Sequence, residues 1–196
     1  MEPTRMALPS QARFPQPELS DLPEDLRTRI LAVQEKAGFV PHVFLSMAHR
    51  PDEFRAFFAY HDAVMERADS GLTKGEREMI VTATSALNNC LYCVIAHGAV
   101  LRIREKDPLI ADQIAINHRK APITDRQMAM LDFALKVAGP DSHTVDEADF
   151  AELEAEGFSR EDIWDIAAIT GFYGLSNRMA NVIGIMPNAE FYTMGR

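Results

Sequence analysis

The chain holds two cysteines, and they stand as Cys90-Leu91-Tyr92-Cys93, with His97 four residues beyond the second. At about 100° per residue, a helix carries Cys90, Cys93 and His97 within roughly 60° of arc, on one stripe. Side chains at i, i+3 and i+4 meet on a helix surface, so both thiols and the imidazole come within reach of each other. The Cα separation of about 5 Å at i, i+3 also lies inside the range a disulfide spans. Two thiols able to close on each other beside a base are the minimum for reversible sulfur redox chemistry.

A free thiol with a pKa of about 8.5 is only about 3% ionised at pH 7, and the thiolate is the reactive form. Two devices for lowering that pKa are visible. Cys90 opens the helix, where unsatisfied N–H groups and the dipole favour an anion. His97, one turn past Cys93, can take a thiol proton and then stabilise the thiolate as imidazolium. An acid set against His97 would hold its ring and raise its basicity. The preceding helix offers Glu76 and Glu78. Glu76 is also the capping-box partner of Thr73, which leaves Glu78 freer to enter a pocket. The same residues admit a rival chemistry, since Cys90, Cys93, His97 and one acid make a four-ligand zinc set. A scaffold with inert thiols is the third reading. His61, beside Phe54, Phe57, Phe58 and Tyr60, reads as a packed or interface histidine. His42, His49, His118 and His143 fall in turns or helix ends without an evident partner, and Trp164 reads as core.

The elements that must position this stripe are helices. Pro3, Pro9, Pro15 and Pro17 deny regular structure to residues 1–22, an arm that is either a loose tail or packs Leu8, Phe14 and Leu19 on a neighbour. Residues 23–196 form one helical domain. Pro23-Glu24-Asp25 opens a helix that stops at Gly38, and a short turn covers His42 to Ala48. Pro51 opens the next helix, and Gly71-Leu72 breaks the chain before the Thr73–Glu76 capping box starts a helix to Leu87. Asn88-Asn89 interrupts ahead of the Cys90 helix, which runs to Lys106. Pro108 begins a short helix, Thr124 caps another, Val145–Glu156 is a third, and Ser159 caps a long apolar one through Val182. No period-2 run long enough for a sheet appears, so the fold class is all-α.

Composition bounds the function. The chain has 196 residues, 47% hydrophobic, with a net charge of −9, so it carries no basic footprint for nucleic acid and disfavours anionic membranes. No apolar run reaches the length of about 18 residues that a membrane span needs, and residues 1–22 lack the apolar core of a secretory signal. These features place it in the cytoplasm, where a lone cysteine pair serves redox, catalytic or metal-binding ends rather than stapling.

The run Leu72-Thr73-Lys74-Gly75-Glu76-Arg77-Glu78-Met79-Ile80, then Ala86 to Asn89, then Cys90 to Ala99, resembles the alkylhydroperoxidase D / carboxymuconolactone decarboxylase superfamily, and more narrowly its peroxidase-related branch. Gly38-Phe39-Val40-Pro41, Gly157-Phe158-Ser159 and Asn177-Arg178-Met179-Ala180 are similar to that branch too. The resemblance implies an all-α fold built on a helical hairpin, assembled as trimers or hexamers, that reduces hydrogen or organic peroxides without a cofactor. It implies that Glu78 is the acid, Cys90 the proton-donor cysteine, Cys93 the cysteine that becomes a sulfenic acid, and His97 the relay. Helix-terminus reasoning alone favours Cys90 as the attacking thiolate. The family's founding members carry a second histidine inside the CxxC, where this chain has Tyr92. A phenol of pKa about 10 is a poor base at neutral pH. The resemblance also implies an external dithiol reductant, a lipoyl protein or a peroxiredoxin-like partner. Decarboxylase members lack the cysteine pair, so lactone decarboxylation is the weaker family reading.

Overall fold

A computed structural model describes residues 13–196. Among them are nine α-helices and no strand: α1 (Glu24–Ala37), α2 (His42–Met47), α3 (Pro51–Met65), α4 (Lys74–Leu87), α5 (Leu91–Glu105), α6 (Ile110–Asn117), α7 (Asp125–Ala138), α8 (Glu147–Ala155) and α9 (Arg160–Ile183). Among the described residues no helix is long and apolar enough to cross a membrane. The helix starts follow local chemistry. Thr73, Thr124 and Ser159 close capping boxes with Glu76, Gln127 and Asp162, and Pro51 takes the first position of α3, where a missing N–H costs nothing. Gly38 ends α1 at φ 85°, a left-handed conformation that favours glycine. The start of α6 differs from expectation: it begins at Ile110, because Asp107 Oδ1 accepts the Leu109 N–H at 2.8 Å and holds Pro108 in a turn.

The scaffold of the site is the pair α4 and α5, joined by three residues and therefore antiparallel neighbours. Every residue of α4 from Gly75 to Ser85 is buried, since α5, α6, α7 and α9 all pack on it. Most of the polar groups of a helix wrapped this completely are satisfied internally, Thr82 Oγ1 and Arg77 Nε excepted. Thr84 Oγ1 donates to Ile80 O at 2.7 Å, Ser85 Oγ accepts from Asn177 Nδ2 at 2.9 Å, and Arg77 donates to the carbonyls of Met65, Arg67 and Leu72. Glu78 turns to α5. Two apolar clusters meet along this helix pair, one around Met79, Ile80, Leu131 and Ile166, the other around Ile30, Phe54, Phe58, Cys93 and Ala99.

One expectation changes. Trp164 is 72% exposed, because α9 turns Ile163, Ile166, Ile169 and Tyr173 inward and leaves position 164 on the opposite arc. The proline-rich segment, from Arg13 onward, lies on its own chain. Arg13 Nη1 donates to the carbonyls of Asn181 and Val182, Gln16 to Ser46 Oγ, and Phe14 stacks on His49 at 5.9 Å. Leu19–Asp21 forms one 3-10 turn within it. Leu8 falls outside the described residues.

Candidate active site

Asn89 takes a left-handed turn (φ 52°) between α4 and α5, and the following Cys90 becomes the N-cap of α5. Its Sγ accepts the Cys93 N–H at 3.4 Å, the geometry a serine hydroxyl would adopt at that position. Cys93 sits one turn on, and the two buried thiols hydrogen-bond to each other as free cysteines. Cys90 is walled in, while Cys93 forms part of the lining of a cavity of about 290 Å³. His97 lines the same cavity. Its Nδ1 lies 2.8 Å from Glu78 Oε2. A carboxylate only accepts, so Nδ1–H is the donor and Nε2 is the nitrogen left to exchange a proton. The ring packs edge-on against Tyr173 at 4.8 Å between centroids, which fixes its plane.

The structure therefore brings Glu78, Cys90, Cys93 and His97 together around one end of α5. Glu76, the other acid weighed for this place, is on the far side in its capping box: its Oε2 accepts the Thr73 N–H at 2.8 Å, and Arg126 reaches Oε1 at 3.3 Å. Helical geometry separates the two acids, since residues two apart point about 200° apart around the axis. Among the described residues no group of three His, Cys, Asp or Glu side chains is placed to hold a metal ion.

The two sulfurs are electrostatically unequal. The hydrogen bond from the Cys93 thiol, with the Cys93 backbone N–H and the charge of His97, lowers the Cys90 pKa from 9.0 to about 7 against the opposing effect of burial. The Cys93 thiol, which donates that bond and is buried beside the resulting charge, is pushed well up. The pair thus titrates as a unit, its first proton leaving more readily than that of an ordinary thiol and its second less readily. Asn177, fully buried on α9, adds a polar contact to both sulfurs and is tied to the hairpin by Asn88 Nδ2 at 3.0 Å and by Ser85. Sequence reasoning noted Asn177 only within a similar segment; the available signal was an amide on the apolar arc of α9. We expect thiolate absorbance in the reduced protein to rise by one thiol with a midpoint near pH 7, the second thiol staying protonated well beyond it. Cys90→Ser should remove the first step; two equal steps near pH 8.5, the ordinary thiol value of about that size, would contradict this inequality.

Tyr92, between the cysteines, does not face them as a base. Its hydroxyl accepts the Val43 N–H at 3.3 Å, and burial pushes its pKa up. The remaining wall is apolar, with Phe39, Phe44, Phe57, Phe58 and Phe172 among its lining, together with His61 and Arg29. The sequence reading of His61 as packing is incomplete, because the same ring that packs against Phe172 at 6.0 Å also lines the cavity. The partners of the other histidines were equally invisible: His118 Nε2 meets Asp132 at 2.7 Å and His42 Nδ1 meets Met186 O at 2.8 Å.

The model of the carboxymuconolactone decarboxylase family matches residues 51–134. Among solved structures, the chain is similar to the alkylhydroperoxidase AhpD core of an uncharacterized peroxidase-related protein from Ralstonia eutropha JMP134. The identity is 69%, the alignment covers 95% of this chain and 97% of that one, and the TM-score is 0.93. An uncharacterized peroxidase-related protein from Silicibacter sp. TM1040 is 39% identical over 97% of this chain and 100% of its own, with a TM-score of 0.90. The debrominase Bmp8 shares the fold at 22% identity and a TM-score of 0.74, over 92% of this chain and 94% of its own. No curated protein matches the chain.

Proposed function

This chain belongs to the alkylhydroperoxidase D / carboxymuconolactone decarboxylase superfamily, and on that footing we propose that it is a thiol-dependent peroxidase working through Cys93 and Cys90. The observation that carries the reading is the division between the sulfurs: Cys93 lines the cavity with His97, while Cys90 is enclosed. Accessibility suits Cys93 to attack, and a thiolate at neutral pH suits Cys90 to resolve.

His97, backed by Glu78, takes the Cys93 proton. The Cys93 thiolate attacks the terminal oxygen of a hydroperoxide; an S–O bond forms, the O–O bond breaks, and the electron pair leaves on the alkoxide. The proton held by His97 passes to that alkoxide, releasing an alcohol and leaving a sulfenic acid on Cys93. Cys90 thiolate then attacks the Cys93 sulfur, the S–S bond forms, and hydroxide departs to become water on taking a proton. An external dithiol, a lipoyl group or the dithiol of a peroxiredoxin-like partner, restores both thiols by exchange. The apolar wall favours organic hydroperoxides over hydrogen peroxide, which brings no surface to bury there. The exposed apolar side chains Tyr60, Leu175 and Val182 suit a trimer or hexamer.

Mass spectrometry of the thiols before and after one equivalent of peroxide tests the reading. It predicts loss of two hydrogens as a Cys90–Cys93 disulfide. Unmodified thiols, with peroxide left in solution, would end it.

A further inference from the structure

The cavity that receives Cys93 and His97 has a second imidazole in its wall. His61, on α3, comes from a different element and is held in a parallel way. Its Nδ1 lies 3.0 Å from Asp62 Oδ1, and Asp62 is gripped in turn by Arg29 through Nη1 at 2.8 Å and Nη2 at 2.9 Å. As with Glu78 and His97, the carboxylate can only accept, so Nδ1–H donates and Nε2 is the nitrogen left free. The rings of Phe58 and Phe172 stand edge-on to His61 at 6.3 Å and 6.0 Å, restricting its rotation. A histidine serving only to pack between phenylalanines needs no carboxylate, and a carboxylate serving only Arg29 needs no histidine. The chain assembles three residues to orient one ring at the edge of an apolar cavity.

Resting on the peroxidase reading, we propose that His61 accepts the O–H of the hydroperoxide through Nε2 and so holds its terminal oxygen for attack by Cys93. Burial and the nearby His97 hold the His61 pKa below the ordinary value of 6.5, so the ring is neutral at pH 7 and Nε2 presents a lone pair. The hydrogen bond to Asp62 opposes that shift without outweighing burial, the Asp62 carboxylate being shared with Arg29. The acceptor is needed because a peroxide O–H moved from water into a wall of phenylalanines without a partner loses its hydrogen bonding. His97 cannot serve both ends, since its free nitrogen is occupied by the Cys93 proton at the moment of attack. Electrons and protons balance as before: the S–O bond forms, the O–O bond breaks, the proton on His97 goes to the alkoxide, and the hydrogen accepted by His61 stays on oxygen, now as the sulfenic acid.

The test compares His61→Leu with His61→Gln in the full chain, using cumene hydroperoxide and an external dithiol. His61→Leu should raise KM about tenfold, and His61→Gln should recover much of it, since an amide oxygen also accepts. In the wild type, KM should rise as pH falls below 6.5, when protonation turns the acceptor into a donor. That rise should vanish in both variants. Its other candidates are Asp62 and Glu66 on α3, Glu78 on α4, Cys93 and His97 on α5, and Tyr173 on α9, all of which both variants retain; Arg29 on α1 does not titrate in this range. Equal KM and an unchanged acid limb in His61→Leu would overturn the proposal. A binding measurement stands apart from turnover: cumyl alcohol added to the reduced protein should shift the Nε2 resonance of His61, and an unmoved resonance would also overturn it. If the resonance moves but the wild type consumes no peroxide, the peroxidase reading fails while the O–H acceptor stands.

Discussion

Replacing Cys93 by serine should lower peroxide consumption by at least about 10³-fold while leaving helicity unchanged. A hydroxyl at this position has no accessible anion near neutral pH, and Cys90 cannot substitute for the missing sulfur, because it is enclosed and does not line the cavity. The informative companion is Cys90→Ser. It removes the resolving thiolate but leaves the cavity-facing sulfur, so one equivalent of peroxide should be consumed and a sulfenic acid should accumulate on Cys93, trappable by dimedone. Helix-end electrostatics makes the opposite forecast, since the lowered pKa is that of Cys90. A dimedone adduct on Cys90 in the Cys93→Ser protein, with peroxide consumed at the wild-type rate, would reverse the order of the two sulfurs. The comparison thus separates two physical factors, ionisation and access. In the proposed order access outweighs charge, because a proton can be passed over a hydrogen bond whereas a peroxide cannot be passed through packed side chains.

Glu78→Gln should cost roughly 10²-fold in kcat/KM, within the range of about 10²–10⁴ typical for a lost general base. The 2.8 Å contact sets which nitrogen of His97 carries its hydrogen. A glutamine can turn its NH2 toward the ring, and Nδ1 then becomes the acceptor and Nε2 carries the hydrogen, so Nε2 can no longer take a proton. An amide that keeps its oxygen toward the ring preserves the tautomer but stabilises the imidazolium less. Both routes reduce the rate of thiolate formation without touching the sulfurs, so the Cys90–Cys93 disulfide should still form, slowly, in the same place. A Glu78→Gln protein with wild-type kcat/KM would show that His97 is oriented by its packing against Tyr173 alone and that Glu78 has no part in the proton's path.

The helix pattern was readable from local rules. Capping boxes, Pro51, Gly38 and the long apolar arc of α9 are short-range signals, and each helix lies within a few residues of where they place it. Trp164 shows where such rules stop: side-chain size says core, but which arc of α9 is covered depends on helices far away in sequence. The same limit applies to the acids. Spacing leaves Glu76 and Glu78 both open, and the pairing with His97 follows only from how α4 lies against α5.

The cysteine and histidine stripe is a property of the chain itself. Cys93 and His97 on one helix, with Cys90 as its N-cap, stay close wherever that helix is placed, so their proximity and the all-α class could be read from residue order. Access, charge and surroundings could not. That Cys93 lines a cavity and Cys90 does not, and that His61 on α3 stands in the same wall as His97 on α5, depend on elements dozens of residues apart. They arise only when distant apolar faces are buried against each other, and no periodicity along the chain records that outcome.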